Sequence, residues 1–201
     1  PLHVAAGLDY ASSYVWRGQV LNAEPVLQPS AGATLSLPAK ATLSLAWWGN
    51  CDVTDGTGHE HLFTEYDWTG TLGLTLGPVA MSTGVIEYYF PHDGVDDSDA
   101  REAFLQLTVP LPTPEALATN LVLSGYYDFD DVRGVYAKAS LQTAYSLTPS
   151  WQLTAHVDVA AAENNYNAAY FGPNENAWSD LAAGLALAAA IDAHTGAALG
   201  F

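Results

Sequence analysis

Polar and apolar residues alternate along almost the whole chain, and this two-residue period constrains the fold more than any other feature. Successive side chains of a β-strand point to opposite faces, so the pattern predicts strands with one apolar and one polar face. The first such segment runs from Val4 to Trp16. About ten strands (about 8 to 12) fit the length, at the ~20 residues per strand and connection that is typical of a barrel. We expect one domain, 1–201.

The connections between these segments alternate between short and long. Short turns are expected at 38–40, 76–78 and 147–150, with a longer connection at 110–119 on the same side. Long acidic connections are expected at 49–61, 91–100 and 163–176. Such alternation gathers tight turns at one rim of a sheet and loops at the other, as in outer-membrane barrels. The sequence therefore predicts an all-β fold, a single antiparallel transmembrane β-barrel with short periplasmic turns and longer acidic outer loops.

A soluble, secreted β-sandwich would show the same alternation. Its polar faces would carry many Lys and Glu, whereas only 13% of this chain is charged and the polar faces are mostly Ser, Thr, Gln, Gly and Ala. Aromatic residues also cluster near strand ends, as in the girdles at the two headgroup levels of a transmembrane barrel. These observations favour the barrel. The girdle candidates are Tyr14, Trp16, Trp47, Tyr66, Trp68, Tyr88, Phe90, Tyr127, Phe129 and Trp151.

Charge and cysteine content exclude several functions. Twenty-two acidic residues against five Lys and Arg give a net charge of −17, which argues against a nucleic-acid partner. The single cysteine, Cys51, excludes an intrachain disulfide and a cysteine-built zinc or iron–sulfur site, and its role stays open. The first residues show neither a charged n-region nor an apolar h-region. We therefore expect a mature chain in the cell outer membrane, its signal peptide already removed.

Two motifs near the start of the chain resemble a known family. Ser12-Ser13-Tyr14-Val15-Trp16-Arg17-Gly18 precedes Pro25-Val26-Leu27-Gln28-Pro29-Ser30, and Ala46-Trp47-Trp48-Gly49-Asn50 follows. This arrangement is similar to the opening of the TorF-type porin family of outer-membrane barrels. The match covers the first quarter of the chain, and the rest is similar only in its hairpin rhythm. The resemblance implies an outer-membrane location and a pore, and it supplies neither a substrate nor catalytic residues.

Charged residues on the polar faces are the strongest functional candidates. An acidic excess between low-dielectric walls favours cations, so one prediction is passive, weakly cation-selective passage of small solutes. In a narrow barrel the same groups would instead pair and plug the interior. The alternative is thus a closed structural or docking barrel, which binds an envelope protein or packs with copies of itself. The candidates for either role are Asp9, Arg17, Glu65, Asp67, Glu87, Glu102, Asp128, Lys138 and Asp158.

The acidic loops are a second candidate site. Carboxylates of one loop, Asp93, Asp96, Asp97 and Asp99, suit Ca²⁺, but their spacing does not match an EF-hand. Solvated loop charge is the simpler interpretation, so we expect no obligatory cofactor. Histidines at the loop rim, His59, His61 and His92, could polarise a water as in barrel hydrolases. No nucleophile-elbow or zinc-protease motif accompanies them, and we expect no enzyme.

Overall fold

The computed structural model describes residues 1–92, 99–114, 116–192 and 197–200. Its strands confirm the predicted all-β class and its antiparallel pairing. Their bounds are β1 (Leu2–Ala11), β2 (Tyr14–Trp16), β3 (Gln19–Asn22), β4 (Val26–Ser36), β5 (Ala41–Asp52), β6 (Phe63–Leu76), β7 (Val79–Tyr89), β8 (Ala100–Leu111), β9 (Leu117–Asp128), β10 (Val135–Thr148), β11 (Trp151–Ala162), β12 (Ala177–Asp192) and β13 (Ala197–Gly200).

Within the described residues, eleven strands form one sheet in the order β1-β4-β5-β6-β7-β8-β9-β10-β11-β12-β13. Each strand pairs with its sequence neighbour, except that β1 pairs with β4 across the small β2–β3 hairpin. The alternating segment predicted from Val4 to Trp16 is therefore wrong as one strand. The chain leaves the sheet after Ala11 and returns at Val26. We call residues 14–22 the inserted hairpin.

Connections alternate in length as the sequence predicts. Tight turns join β4 to β5, β6 to β7 and β10 to β11, whereas β5, β7 and β11 are followed by long segments. The segment after β11 contains a helical turn, α1 (Asn164–Tyr166), continued by a π-helical turn at Asn167–Phe171. Within the described part of the chain, no helix has the length and apolar character needed to span a membrane.

The two faces of the large sheet differ in polarity. One face, here the outer face, exposes large apolar side chains along the strands, among them Val4 (76% exposed), Leu181 (77%) and Leu185 (77%). The opposite face, here the inner face, is touched by the inserted hairpin and carries Glu65 and Glu102, which are 3% and 1% exposed. The apolar residues thus lie outside and the buried carboxylates inside, the reverse of a soluble domain.

The sheet curls around the inserted hairpin. Tyr14 packs on Trp48 of β5, while Gly18 lies against Asp180 of β12. Four residues of extended chain reach about 14 Å, whereas seven strand spacings in a flat sheet would separate β5 from β12 by about 34 Å. The sheet must therefore be strongly curved, with the hairpin on its concave side.

The curled sheet is not closed by backbone hydrogen bonds within the described residues. β1 pairs only with β4, and the other edge of the sheet is formed by β12 and the short β13. The predicted closed barrel is thus not what the structure shows; it shows a curled open sheet. Closure would need a strand that pairs with the free edge of β1. The last described strand, β13, spans only four residues, and its described pairing is with β12.

Candidate functional site

The inserted hairpin turns at Arg17-Gly18, where the two residues have φ angles of +46° and +79°. Positive φ at both central residues is the signature of a type I′-like two-residue turn, which matches the twist of the strands it joins. Glycine tolerates this conformation at the second position without a steric penalty. The turn places the Arg17 side chain at the tip of the hairpin, over the inner face of the sheet.

Arg17 and Glu102 form the central ion pair of the inner face. Arg17 Nη1 donates to Glu102 Oε1 at 2.8 Å and Nη2 to Oε2 at 2.7 Å, the bidentate geometry that strengthens an arginine–carboxylate pair. The Tyr88 hydroxyl donates to Oε2 at 2.9 Å and the Tyr166 hydroxyl to Oε1 at 2.8 Å. Glu102 therefore accepts four hydrogen bonds in a dry environment, which compensates for its burial.

Aromatic rings surround the guanidinium of Arg17. Its Cζ lies 4.4 Å from the ring centroids of Tyr126 and Tyr136, and 4.6 Å from that of Trp16. Cations are attracted to aromatic ring faces at these distances. Buried Tyr136 and Tyr166 form the core of this cluster together with two alanines of β11. The hairpin, the helical turns and the sheet therefore share one packed core at the long-loop end.

Tyrosine hydroxyls also donate to three further carboxylates of the inner face. Tyr14 donates to Glu65 at 2.8 Å, Tyr170 donates to Asp128 at 3.0 Å and Tyr136 donates to Asp180 at 2.9 Å. Asp128 also accepts two backbone N–H groups from the loop that follows β9. These bonds tie the hairpin and the segment after β11 to the walls of the sheet. This network packs across the inner face at the long-loop end.

The short-turn half of the inner face is open and polar. One cavity of about 350 Å³ is lined by β9, β10 and β11, including Asn120, Gln142 and His156. Another of about 230 Å³ is lined by β5 to β8, including Thr42, Ser82 and Gln106. Small polar side chains leave this half accessible to water.

The register places most of the predicted lumen charges on the inner face. Glu65, Glu102 and Asp128 are buried, and Lys138 lies 3.6 Å from Asp158. Asp67 Oδ1 is buried and has no hydrogen-bond partner among the residues that the structure describes. The inner-face set is Asp9, Arg17, Glu65, Asp67, Glu102, Asp128, Lys138 and Asp158.

Glu87 is the exception, and its predicted lumen position is wrong. It pairs in register with Trp68 and Arg101, and all three side chains are half exposed on the outer face. Its carboxylate lies 3.1 Å from Arg101 Nη2. The alternation in β7 is ambiguous because Ile86 and Tyr88 are apolar residues that face inward.

The girdle prediction also needs correction at four positions. Tyr14 and Trp16 belong to the inserted hairpin, Tyr88 bonds to Glu102, and Phe90 lines the inner cavities beside it. The Tyr14 and Tyr88 hydroxyls bond to buried carboxylates and the Trp16 ring packs on the Arg17 guanidinium, which holds these three rings in the polar interior. On the outer face, Tyr89 is 48% exposed and takes the place predicted for Tyr88. The candidates that lie on the outer face are Trp47, Tyr66, Trp68, Tyr127, Phe129 and Trp151.

The acidic-loop site is only partly described. Asp93, Asp96 and Asp97 lie outside the described residues, and Asp99 accepts a 3.4 Å hydrogen bond from the Phe90 backbone N–H. Among the residues that the structure describes, no group of three or more His, Cys, Asp or Glu side chains could hold a metal ion. A calcium site therefore stays a prediction without structural support.

Comparisons with known proteins leave the family open. No protein-family model matches the chain, and no curated protein or solved structure is significantly similar to it. The likeness to TorF-type porins stays a prediction from the quoted motifs.

Burial of the tyrosine hydroxyls predicts loss of stability at alkaline pH. Burial, and then the Glu65 carboxylate, raise the pKa of Tyr14 well above its ordinary value of 10.0. Burial and Asp128 likewise raise the pKa of Tyr170. The unfolded chain ionises these phenols first, so it gains stability relative to the folded chain as the pH rises above about 10.

The free energy of unfolding in urea is expected to fall by up to about 1.4 kcal/mol per pH unit for Tyr14 in this range. Tyr14→Phe removes this contribution, so the free energy of unfolding should depend less steeply on pH. Tyr10→Phe, at a 68% exposed side chain, is the matched control and should keep the pH dependence of the wild type. An equally steep pH dependence in wild type and Tyr14→Phe would contradict the role given to the buried Tyr14 hydroxyl.

Proposed function

We propose that this chain is an outer-membrane β-barrel whose interior is closed at the long-loop end, and that it serves as a docking protein at that surface. The inverted polarity of the sheet supports the membrane assignment most directly. Leucine, valine and tryptophan side chains are exposed on the outer face, whereas Glu102, Asp128 and Asn50 are at most 1% exposed. Water would oppose this arrangement, and lipid favours it.

Closure of the sheet is part of this proposal. Free backbone N–H and C=O groups at the edges of β1 and β12 would each cost several kcal/mol in hydrocarbon. The curvature imposed by the inserted hairpin already brings the two halves of the sheet round one core. We infer that β1 pairs with the β12–β13 edge in the membrane. The resemblance of the first quarter to TorF-type porins agrees with this location.

The packed hairpin supports docking over an open pore. Arg17 and Glu102 join the hairpin tip to β8, and the rings of Trp16, Tyr166 and Tyr170 fill the space around them. This network leaves the acidic loops and the rim as the surface that meets an envelope partner or another copy of the chain.

Cation-selective passage of small solutes is the second candidate function. The polar cavities in the short-turn half favour it, since they would form a water-filled vestibule. Passage would require the inserted hairpin to leave its position, because it closes the other end. Acidic residues along the inner face would then favour cations over anions.

Planar bilayer recordings test the two functions. We expect wild-type protein to be silent, because the hairpin closes the interior. Gly18→Val should displace the hairpin tip, since a Cβ at Gly18 would lie 2.6 Å from Asp180 Cβ. Gly58→Val is the matched control: its φ of +81° is close to the +79° of Gly18, and no atom lies within 4 Å of its Cβ position.

The recordings decide whether the interior conducts. Stepwise K⁺-selective current from wild-type protein would contradict the closed barrel. Current from Gly18→Val alone would support a closed barrel with a latent cation path. If neither wild-type protein nor folded Gly18→Val carries current, passage is rejected and docking is left. Circular dichroism checks that each variant retains its strands.

A further inference from the structure

A cavity of about 310 Å³, lined by both polar and apolar side chains, lies at the long-loop rim, outside the Arg17–Glu102 network. The end of the inserted hairpin, the ends of β5 and β6, and the loop after β5 form its walls. His59 and His92 lie on its loop side, where their rings stack with centroids 5.2 Å apart. Its size is at the lower end of small-molecule pockets, which span about 300–1,000 Å³.

Asn22 of this cavity has an unused hydrogen-bond donor. The residue is 6% exposed, and its Oδ1 accepts the Glu24 backbone N–H at 2.8 Å. That bond fixes the carboxamide, and Nδ2 has no partner among the residues that the structure describes. An unsatisfied buried donor costs about 1–3 kcal/mol, so a group that binds there would remove this cost. That group must offer an acceptor atom.

Two buried carboxylates face the same cavity. Asp52 is 1% exposed and accepts hydrogen bonds from Asn50 Nδ2 at 3.2 Å and from the Thr57 hydroxyl. Glu65 is 3% exposed, accepts the Tyr14 hydroxyl and also forms a side-chain hydrogen bond with Asp67. A carboxylate has about four acceptor positions, so each can take a further donor while its existing bonds hold it in place.

We propose that this cavity binds a monosaccharide. A sugar hydroxyl both donates and accepts, so neighbouring hydroxyls can satisfy Asn22 Nδ2 and the carboxylates of Asp52 and Glu65 together. The rings of Tyr14 and Phe90 supply apolar surface for the C–H face of a sugar. A metal ion or an alkylammonium would pair with the carboxylates but would leave the Asn22 donor unsatisfied. The cavity has these walls whatever solvent covers the outer face, so the inference goes beyond the proposed membrane function.

Isothermal titration of the full-length folded protein tests this inference. The detergent must lack a sugar headgroup, and the probes are D-glucose, D-galactose, D-mannose and L-arabinose. We expect saturable binding of at least one sugar. Asn22→Ala should weaken it about tenfold or more, because one buried hydrogen bond is lost. Asn120→Ala, in the cavity of the short-turn half, is the matched control and should bind like wild type.

A second variant and a second probe also test the sugar site. Asp52→Asn keeps the side-chain size, removes an acceptor and should also weaken binding, which provides a test if Asn22→Ala does not fold. Failure of every sugar to bind at tens of millimolar would overturn the proposal, as would unchanged affinity in both folded variants. Salt-sensitive binding of putrescine without sugar binding would instead identify a cation site. None of these readouts depends on conductance, so failure here is separable from failure of the proposed barrel.

Discussion

Replacing Glu102 with alanine is expected to lower the free energy of unfolding by about 3–5 kcal/mol, because it leaves the buried guanidinium of Arg17 without its carboxylate. The side chains of Arg17 and Glu102 are only 10% and 2% exposed. Glu102→Ala would also remove the acceptor of the Tyr88 and Tyr166 hydroxyls, and these residues are only 7% and 0% exposed. The inserted hairpin would lose its main attachment to β8.

Equilibrium unfolding in urea, followed by tryptophan fluorescence, measures this loss. Glu87→Ala is the matched control, since Glu87 pairs with Arg101 across β7 and β8 on the half-exposed outer face. An exposed pair of this kind contributes about 0–1 kcal/mol. Arg17→Met combined with Glu102→Leu should recover much of the lost stability, because neither charge is then left buried alone. Equal effects of Glu102→Ala and Glu87→Ala would show that the Arg17–Glu102 pair does not hold the hairpin.

The sheet could be predicted from the sequence because its two faces differ in polarity at almost every strand. In β10, for example, Leu141 alternates with Ser140 and Gln142, and the register confirms the predicted faces. Alternation fails to show which residues face inward only where both faces of a strand carry apolar residues. In β7, Val85 points outward and Ile86 inward, so alternation could not decide between Glu87 and Tyr88.

The inserted hairpin could not be predicted from alternation. Tyr14 and Trp16 continue the period of β1, and aromatic residues near a strand end are equally typical of a lipid interface. The available signal was the Arg17-Gly18 pair, since a glycine after a polar residue between two short alternating runs is typical of a two-residue turn. Whether such a hairpin extends the sheet or folds back on it depends on long-range contacts with β8 and β12.

The partners of the inner-face charges could also not be predicted from the sequence. Tyrosine is grouped with the apolar residues in the composition, so the sequence predicts an acidic lumen balanced by only two basic side chains. The structure uses the tyrosine hydroxyls of Tyr14, Tyr136 and Tyr170 as donors to separate carboxylates. These partners lie 42 to 51 residues apart in the chain, and local spacing cannot reveal them.

If the outer face lies in lipid, as we propose, Leu141→Arg is expected to destabilise the protein in a bilayer by about 2–4 kcal/mol, the typical effect of arginine on the lipid face of a barrel near the bilayer midplane. Leu141 lies in the middle of β10, is 47% exposed, and pairs with Leu121 and Val157 on the outer face. Unfolding of the protein from lipid vesicles in urea measures the loss. If water covered this face, a half-exposed leucine could be replaced at less than about 1 kcal/mol, since the guanidinium would stay hydrated.

Gln142→Arg is the matched control for Leu141→Arg. It is the next residue of β10, faces the inner side and lines the open cavity of about 350 Å³, where a long cation can extend into water. We therefore expect a change of less than about 1 kcal/mol at Gln142. Only lipid on one face and water on the other make adjacent residues of one strand respond so differently to the same side chain. Equal tolerance of arginine at both positions would overturn the membrane assignment, because no packed protein core covers Leu141 to exclude the charge instead.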